Sequence, residues 1–359
     1  MKKILALLLT LMLVLPCFAA TAEEVPEGYP EIIEGLDFGG RTVYIYDWWS
    51  TDDPEHTSRS KDPDPDLEKT YEYRDWLEKT YNVKIVETAL PGGGWEGNPQ
   101  ALSNWVMNKE NDEWHVIAVA GDFAGAALKN GLYAPWVLDM TMDNWNPPVV
   151  QNMTKDGVCY GVNTGKNEPR NVIYFNKTVL QDAGIDPESI YDLQAKGEWT
   201  WDKMIEIMQK VQRDVDNDDI MDYYGLTGSA DTLLMGLIFS NNASVFDTNE
   251  EGKLVITANS DAALEAIQMR KDMWDNYGMP QPEGSQWDWF KTAWMQGKIA
   301  FYAGETWQGL GVGGGEMKDM QDERGVVAFP KGPRATEYIT YLNNNVYGIP
   351  NVYDEETLL

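Results

Sequence analysis

The sequence predicts a two-lobed α/β protein with a ligand cleft between the lobes, and three observations carry that expectation. Strand and helix patterns alternate from residue 41 to about 130, and a second alternating series begins near residue 172. The 359 residues are enough for two domains and a sizeable core. No internal repeat or low-complexity segment points elsewhere. Lobe 1 is expected over 36–165, with 331–359 returning to it, and lobe 2 over 166–330.

The first series opens with a strand over 41–47, whose Thr-Val-Tyr-Ile-Tyr run is β-branched and aromatic. An amphipathic helix follows over 67–81, with Leu67, Tyr71, Trp76 and Leu77 among its larger apolar positions. Residues 83–88 form a second strand. The stretch 91–98 carries three successive glycines, yet it lacks the Lys-Ser/Thr ending of a phosphate-binding loop and reads as a plain loop. A helix over 99–109, a strand over 115–120 and a helix over 121–130 complete a βαβαβα order. That order predicts an open, largely parallel sheet with covered faces.

In the second series, strands at 172–175, 224–227, 298–302 and 325–329 alternate with helices at 176–183, 201–213, 232–239, 260–277 and 287–296. Thr200 is placed as an N-cap, with Asp202 in the first turn favourable to the helix dipole. Ligands bind at the carboxyl ends of strands in such sheets, so the loops there are the first place to look.

The N-terminus sets the compartment. Lys2 and Lys3 precede an apolar run over 4–15, too short to span a bilayer, and Ala20-Thr21-Ala22 gives an A-x-A cleavage pattern. Residues 1–22 are therefore expected to be a signal peptide, and the protein to be exported, extracellular or periplasmic. Lipid anchoring at Cys17 is the competing outcome. Pro16 stands where a small residue is needed before that cysteine, which favours simple secretion.

The formal net charge is −30, from 58 acidic against 28 basic residues. Such a chain repels nucleic acid and anionic lipid, so neither is expected as a partner. Of the two cysteines only Cys159 lies beyond the leader, which excludes an intramolecular disulfide in the mature chain. The two histidines, His56 and His115, leave little for a triad or a zinc site. Against this poverty stand 15 Trp and 18 Tyr. Most supply core area, but an excess of Trp in an exported protein also suits stacking on the apolar faces of sugar rings.

Several segments together carry a resemblance. Asn111 begins Asn-Asp-Glu-Trp-His-Val-Ile-Ala-Val-Ala-Gly-Asp, and Gly131 begins Gly-Leu-Tyr-Ala-Pro-Trp. Ile173 begins Ile-Tyr-Phe-Asn-Lys, followed by Ala183-Gly184-Ile185 and Pro187. Gly197 begins Gly-Glu-Trp-Thr-Trp-Asp-Lys-Met, Gly297 begins Gly-Lys-Ile-Ala-Phe-Tyr-Ala-Gly-Glu-Thr-Trp, and Ala328 begins Ala-Phe-Pro-Lys-Gly-Pro. In this order and spacing the chain resembles the extracellular solute-binding proteins of ABC sugar importers, the group that includes maltose-binding protein. The resemblance implies a type II periplasmic-binding-protein fold. It also implies a monomer that captures a carbohydrate, in particular an oligosaccharide, for an ABC permease. No bond is broken and no cofactor is required.

The resemblance further implies ligand contacts at strand ends. These are Asp47, Trp48 and Trp49 after the first strand, Gly121 and Asp122 after the third, and Ser229 and Asp231 after the strand at 224–227. Trp307 stands ten residues after Gly297, the interval at which the family places a stacking tryptophan, with Glu305 beside it and Arg170 near the first lobe crossing. Each has a plainer alternative. Trp48 and Trp49 are adjacent, so on a strand only one faces the ligand unless both sit in the loop. Asp122 reads either sugar hydroxyls or caps the next helix. Arg170 pairs either with an acidic ligand or with the acidic surface. Trp199 and Trp201 flank a helix start and are expected in the core, and Trp287, Trp289 and Trp294 are assigned to packing.

In the family, helices follow the strand matching 346–350, whereas this chain stops at Leu359. A truncated product or a naturally absent tail is expected, and truncation would expose apolar surface. A separate pattern lies at Asp214, Asp216, Asp218 and Asp222, positions one, three, five and nine of a calcium loop. Asp219 replaces the glycine at position six and Gly225 the glutamate at position twelve, which leaves calcium and a solvated acidic turn as alternatives. Two other functions stay in view. A secreted glycoside hydrolase needs two carboxylates about 5–9 Å apart, and composition alone does not exclude it. A sensory solute-binding protein for a non-sugar polar ligand uses the same fold.

Overall fold

The computed structural model describes residues 25–50, 65–110, 112–165, 167, 169–251, 253–310 and 312–354. The expected signal peptide, Cys17 and His56 lie outside the described residues. The chain divides into two units, cut between Asn167 and Glu168 and again between Leu342 and Asn343.

The first unit runs β1 (Arg41–Asp47), α1 (Pro65–Tyr81), β2 (Val83–Ala89), α2 (Gly97–Asn108), β3 (Trp114–Val119), α3 (Gly121–Lys129), α4 (Pro147–Asn152) and a short hairpin, β4 (Thr154–Lys155) with β5 (Val158–Cys159). β1 pairs in parallel with β2 on one side and β3 on the other, as the βαβαβ order predicts. The returning strand Val346–Gly348 then adds antiparallel to β3. Alternation along β1 feeds two layers: Val43 packs with Leu77, Tyr81 and Ile85, while Tyr46 packs with Leu102, Ile117 and Ala124. Cys159 is buried, its thiol bonded to the Gly161 carbonyl at 3.2 Å.

The second unit runs β6 (Asn171–Asn176), α5 (Lys177–Asp182), α6 (Glu188–Ala195), α7 (Trp201–Val211), β7 (Tyr224–Gly228), α8 (Ala230–Ser240), the hairpin β8 (Phe246–Thr248) and β9 (Leu254–Ile256), α9 (Asp261–Tyr277), α10 (Trp289–Met295), β10 (Ile299–Glu305), α11 (Thr306–Leu310) and β11 (Arg324–Ala328). Its sheet has the order β11-β6-β10-β7, and the parallel winding of the first unit does not carry over. β10 is parallel to β7, but β6 runs against both of its neighbours. Asn171, the first residue of β6, therefore lies opposite Glu305, the last of β10. That reversal decides where the candidate site forms.

Local chemistry sets the helix starts. Thr200, Asn176 and Ser260 each accept a backbone N–H three residues on, as N-caps do. Trp199 and Trp201 are core residues, their indoles bonded to the Ala328 carbonyl at 2.8 Å and to Ser240 Oγ at 3.2 Å. Burying each such ring stabilises the unit by about 1.5–3 kcal/mol. Trp294 is buried too, whereas Trp287 is largely exposed and meets Phe290 edge to face at 6.5 Å.

The expected return to the first lobe at residue 331 is corrected. Residues 331–342 stay with the second unit because its backbone holds them. Lys331 N–H bonds to the Trp199 carbonyl, Gly332 N–H to that of Ser240, and Arg334 grips Glu265 with two nitrogens at 2.6 and 2.8 Å. Among the described residues no helix is long and apolar enough to cross a membrane.

Candidate functional site

In the second unit five expected residues stand at one sheet end. β10 finishes at Glu305, and α11 begins at once, so Trp307 projects from the first turn of a helix and is 44% exposed. Its indole Nε1 donates to Glu305 Oε2 at 2.5 Å, and Arg170 Nη2 lies 2.8 Å from the same oxygen. Arg170 thus pairs with an acid of its own unit. Its Nε is buried without a hydrogen-bond partner.

The strand-end turn beneath these groups is fixed from several sides. Thr306 donates through its hydroxyl to the Pro169 carbonyl and through its backbone to that of Arg170. Tyr174, its hydroxyl pKa pushed up to about 12 chiefly by burial, bonds the Glu305 and Thr306 carbonyls at 3.0 and 2.8 Å. Gln308 accepts Glu305 N–H at 2.7 Å.

Across β10, β7 ends at Gly228 and leads into α8. Ser229 is the N-cap residue of that helix, but its side chain makes no capping bond. Asp231, in the first turn, is exposed. Both polar groups therefore stand at a helix N-terminus at the same strand ends. Asn171 Oδ1 and Thr227 Oγ1, which the sequence did not single out, are buried there without partners. A cavity of about 380 Å³ elsewhere in this unit, lined by Lys291, Trp294, Tyr302 and Glu316, contains none of the expected contacts.

The first unit carries its own cluster. Asp47 is fully buried and accepts Trp49 N–H at 3.0 Å, Ser50 N–H at 2.8 Å and the Ser50 hydroxyl at 2.6 Å. Burial raises its pKa, and the Ser50 bonds oppose that rise. Its carboxylate shapes the turn instead of facing outward. Trp48 and Trp49 both sit in that turn beyond β1, so the strand rule does not force them apart. Their rings meet edge to face at 4.9 Å, with Trp49 48% exposed.

After β3, Gly121 allows the returning segment to approach closely. A Cβ there would lie 2.8 Å from Asn343 Oδ1 and 3.0 Å from the Asn344 carbonyl. Asp122 is exposed in the first turn of α3, while the N-cap position belongs to Ala120, so Asp122 does not cap the helix. Asn343 Nδ2 approaches its carboxylate at 3.5 Å. Three contributors were not singled out from the sequence: Trp95, Phe123 and Asn343. A tryptophan inside a glycine-rich loop was the available signal for the first.

At the acidic turn, Asp214, Asp216 and Asp218 each offer a carboxylate oxygen within 4.8 Å of the others. Asp222 instead turns Oδ2 to the Val215 N–H at 2.7 Å. Asp214 accepts the amides of Asn217 and Asp219 at 2.7 and 2.9 Å, and Asp218 accepts that of Ile220 at 2.8 Å. The loop folds on its own carboxylates.

Each of the two α/β units ends strands in exposed indoles and in hydroxyl- or carboxylate-bearing turns. The sequence profile described as bacterial extracellular solute-binding protein matches residues 65–355, and the chain belongs to that family. It is a binding protein of an extracellular class and not an enzyme.

The fold is that of solved binding proteins. A cyclo/maltodextrin-binding protein complexed with maltotetraose superposes with a TM-score of 0.60 at 15% identity, over 88% of this chain and 71% of that one. The GacH receptor of Streptomyces glaucescens, solved also with acarbose, gives 0.58 at 17% identity, over 89% and 74%. The substrate-binding protein Lmo0181 from Listeria monocytogenes, in complex with cycloalternan, gives 0.58 at 16%, over 89% and 72%. No curated protein matches the chain in sequence.

Proposed function

We propose that this chain captures a carbohydrate of oligosaccharide size outside the membrane and delivers it to an ABC permease. The observation that carries the reading is Trp307, an indole kept open at the end of β10 while Glu305, itself paired with Arg170, holds its edge. An exposed ring fixed in this way stacks on sugar C–H faces at little cost in side-chain entropy. The exposed Trp49 and its neighbour Trp48 supply a second such surface in the first unit. Asp122, Ser229 and Asp231 supply hydrogen-bonding groups for hydroxyls. Asp47, Glu305 and Arg170 position these contacts. Solved relatives of the fold hold maltotetraose, acarbose and cycloalternan, which supports an oligosaccharide as the ligand class.

The test is thermal unfolding of the purified protein against a panel of mono- and oligosaccharides. A ligand at a hundred times its dissociation constant adds about 2.7 kcal/mol of stability. A shift with one glycan class, lost in Trp307→Ala, supports the reading. A cooperative melt that no sugar moves overturns the carbohydrate assignment. Intact recovery of the bound oligosaccharide distinguishes capture from hydrolysis.

A further inference from the structure

The glycine-rich stretch 91–96 joins β2 to α2 and carries Trp95, which is 46% exposed. Its ring meets Phe123, the residue after Asp122, edge to face at 4.7 Å. The sheet order places β1 between β2 and β3. Trp95, from the loop after β2, therefore reaches Phe123, from the helix after β3, across the end of β1 where Trp48 and Trp49 emerge. The loops that carry Trp95 and Phe123 thus start about 10 Å apart, two strand spacings, with the Trp48–Trp49 turn between them.

One side chain fixes all three pieces. Asn98 is fully buried, and its Nδ2 donates to the Asp47 carbonyl at the end of β1 and to the Ala118 carbonyl near the end of β3, both at 3.1 Å. Its Oδ1 accepts Gly94 N–H at 3.4 Å, and its own N–H bonds back to the Gly94 carbonyl at 3.0 Å. The glycines are what that grip requires. A Cβ on Gly93 would sit 2.6 Å from Asn98 Oδ1 and 2.9 Å from the Leu90 carbonyl, and Gly94 adopts φ +125°. Only an amide supplies two donors and an acceptor here; aspartate lacks the donors. Glycines in a loop cost chain entropy, and this loop uses them to leave nearly half an indole in water. Packing on Phe123 alone does not account for that.

Resting on the carbohydrate reading above, we propose that Trp95 is a further stacking platform which selects ligands of two or more rings, and that Asn98 is the positioning residue holding it in line with the Trp48–Trp49 turn.

The binding arm uses a glycan array of mono- to hexasaccharides, with wild type, Trp95→Ala and Trp95→Phe. Trp95→Ala is expected to lose up to about tenfold in affinity for bound chains of two or more rings while keeping monosaccharide affinity within about twofold, and Trp95→Phe to retain most of it. Equal binding by wild type and Trp95→Ala overturns this proposal alone, whereas no binding by wild type to any glycan overturns the carbohydrate reading and this proposal with it. The ligand-free arm follows the indole N–H resonances of Asn98→Ala, assigned by single Trp→Phe changes. Trp48, Trp49 and Trp95 are expected to shift while Trp307 stays; unmoved Trp48 and Trp49 resonances overturn the positioning role.

Discussion

Arg170 Nη2 lies 2.8 Å from Glu305 Oε2, the oxygen that also takes the Trp307 indole N–H. The pair is half sheltered, so its loss is felt more than that of a surface ion pair. Glu305→Ala removes the acceptor of both neighbours and leaves a guanidinium without its carboxylate. The expected cost is about 1–3 kcal/mol in urea unfolding. A double-mutant cycle with Arg170→Ala should return a coupling of about 0.5 kcal/mol or more; additive losses would show that the contact is incidental.

Trp307→Ala separates binding from folding. The exposed ring contributes little to the core, so stability should change by no more than about 0.5 kcal/mol. Affinity for the captured glycan should fall at least about tenfold, or 1.4 kcal/mol. Isothermal titration calorimetry beside a melting curve reads both quantities, and a large stability loss with unchanged affinity would make the ring structural.

Asp47→Ala tests the first unit. Two backbone N–H groups and the Ser50 hydroxyl lose their acceptor in a buried turn. About 1–3 kcal/mol of stability should go, and the near-ultraviolet circular dichroism of the Trp48–Trp49 pair should change with it. An unaltered spectrum would mean the turn holds its shape without the carboxylate.

His115 gives the fold a pH dependence of known sign. Its ring stacks on Trp105 at 4.7 Å and lies 3.2 Å from both Glu113 Oε2 and the Tyr353 hydroxyl. Burial lowers its pKa below 6.5, and Glu113 opposes the shift without reversing it. A depressed folded-state pKa means the unfolded chain binds the proton more readily. This contribution is fully present above pH 6.5 and is lost as pH falls through the lower folded value. The difference in urea midpoint between wild type and His115→Gln should therefore narrow on acidification from pH 7.5 to 5.5; a constant difference would refute the linkage.

In the aspartate turn Asp214 accepts two backbone amides and Asp222 a third, which favours a turn held by its own donors. Melting temperatures in calcium and in a chelator are expected to agree. A rise of several degrees in calcium, abolished by Asp216→Asn, would instead make this a metal site.

What the sequence determined by itself is local. The strand over 41–47, the N-cap at Thr200, and the burial of Trp199 and Trp201 follow from side-chain period and short-range hydrogen bonds. The tryptophans at strand ends, Trp49 and Trp307 among them, were instead what the family resemblance implied. The tertiary structure decided whatever depended on strand direction and on distant partners. No pattern within β6 announces that it runs against its neighbours, yet that direction brings Arg170 to Glu305, 135 positions away in the numbering. Asp47 was a ligand contact implied by the family resemblance; only packing shows its carboxylate turned inward on Ser50. Asn98 and Trp95 passed as loop residues, because the carbonyls that Asn98 grips belong to strands 51 and 20 residues off. Periodicity records which face of an element is apolar; it carries no information about which strand end lies beside which. That is fixed by the hydrogen-bond ladder of the folded sheet.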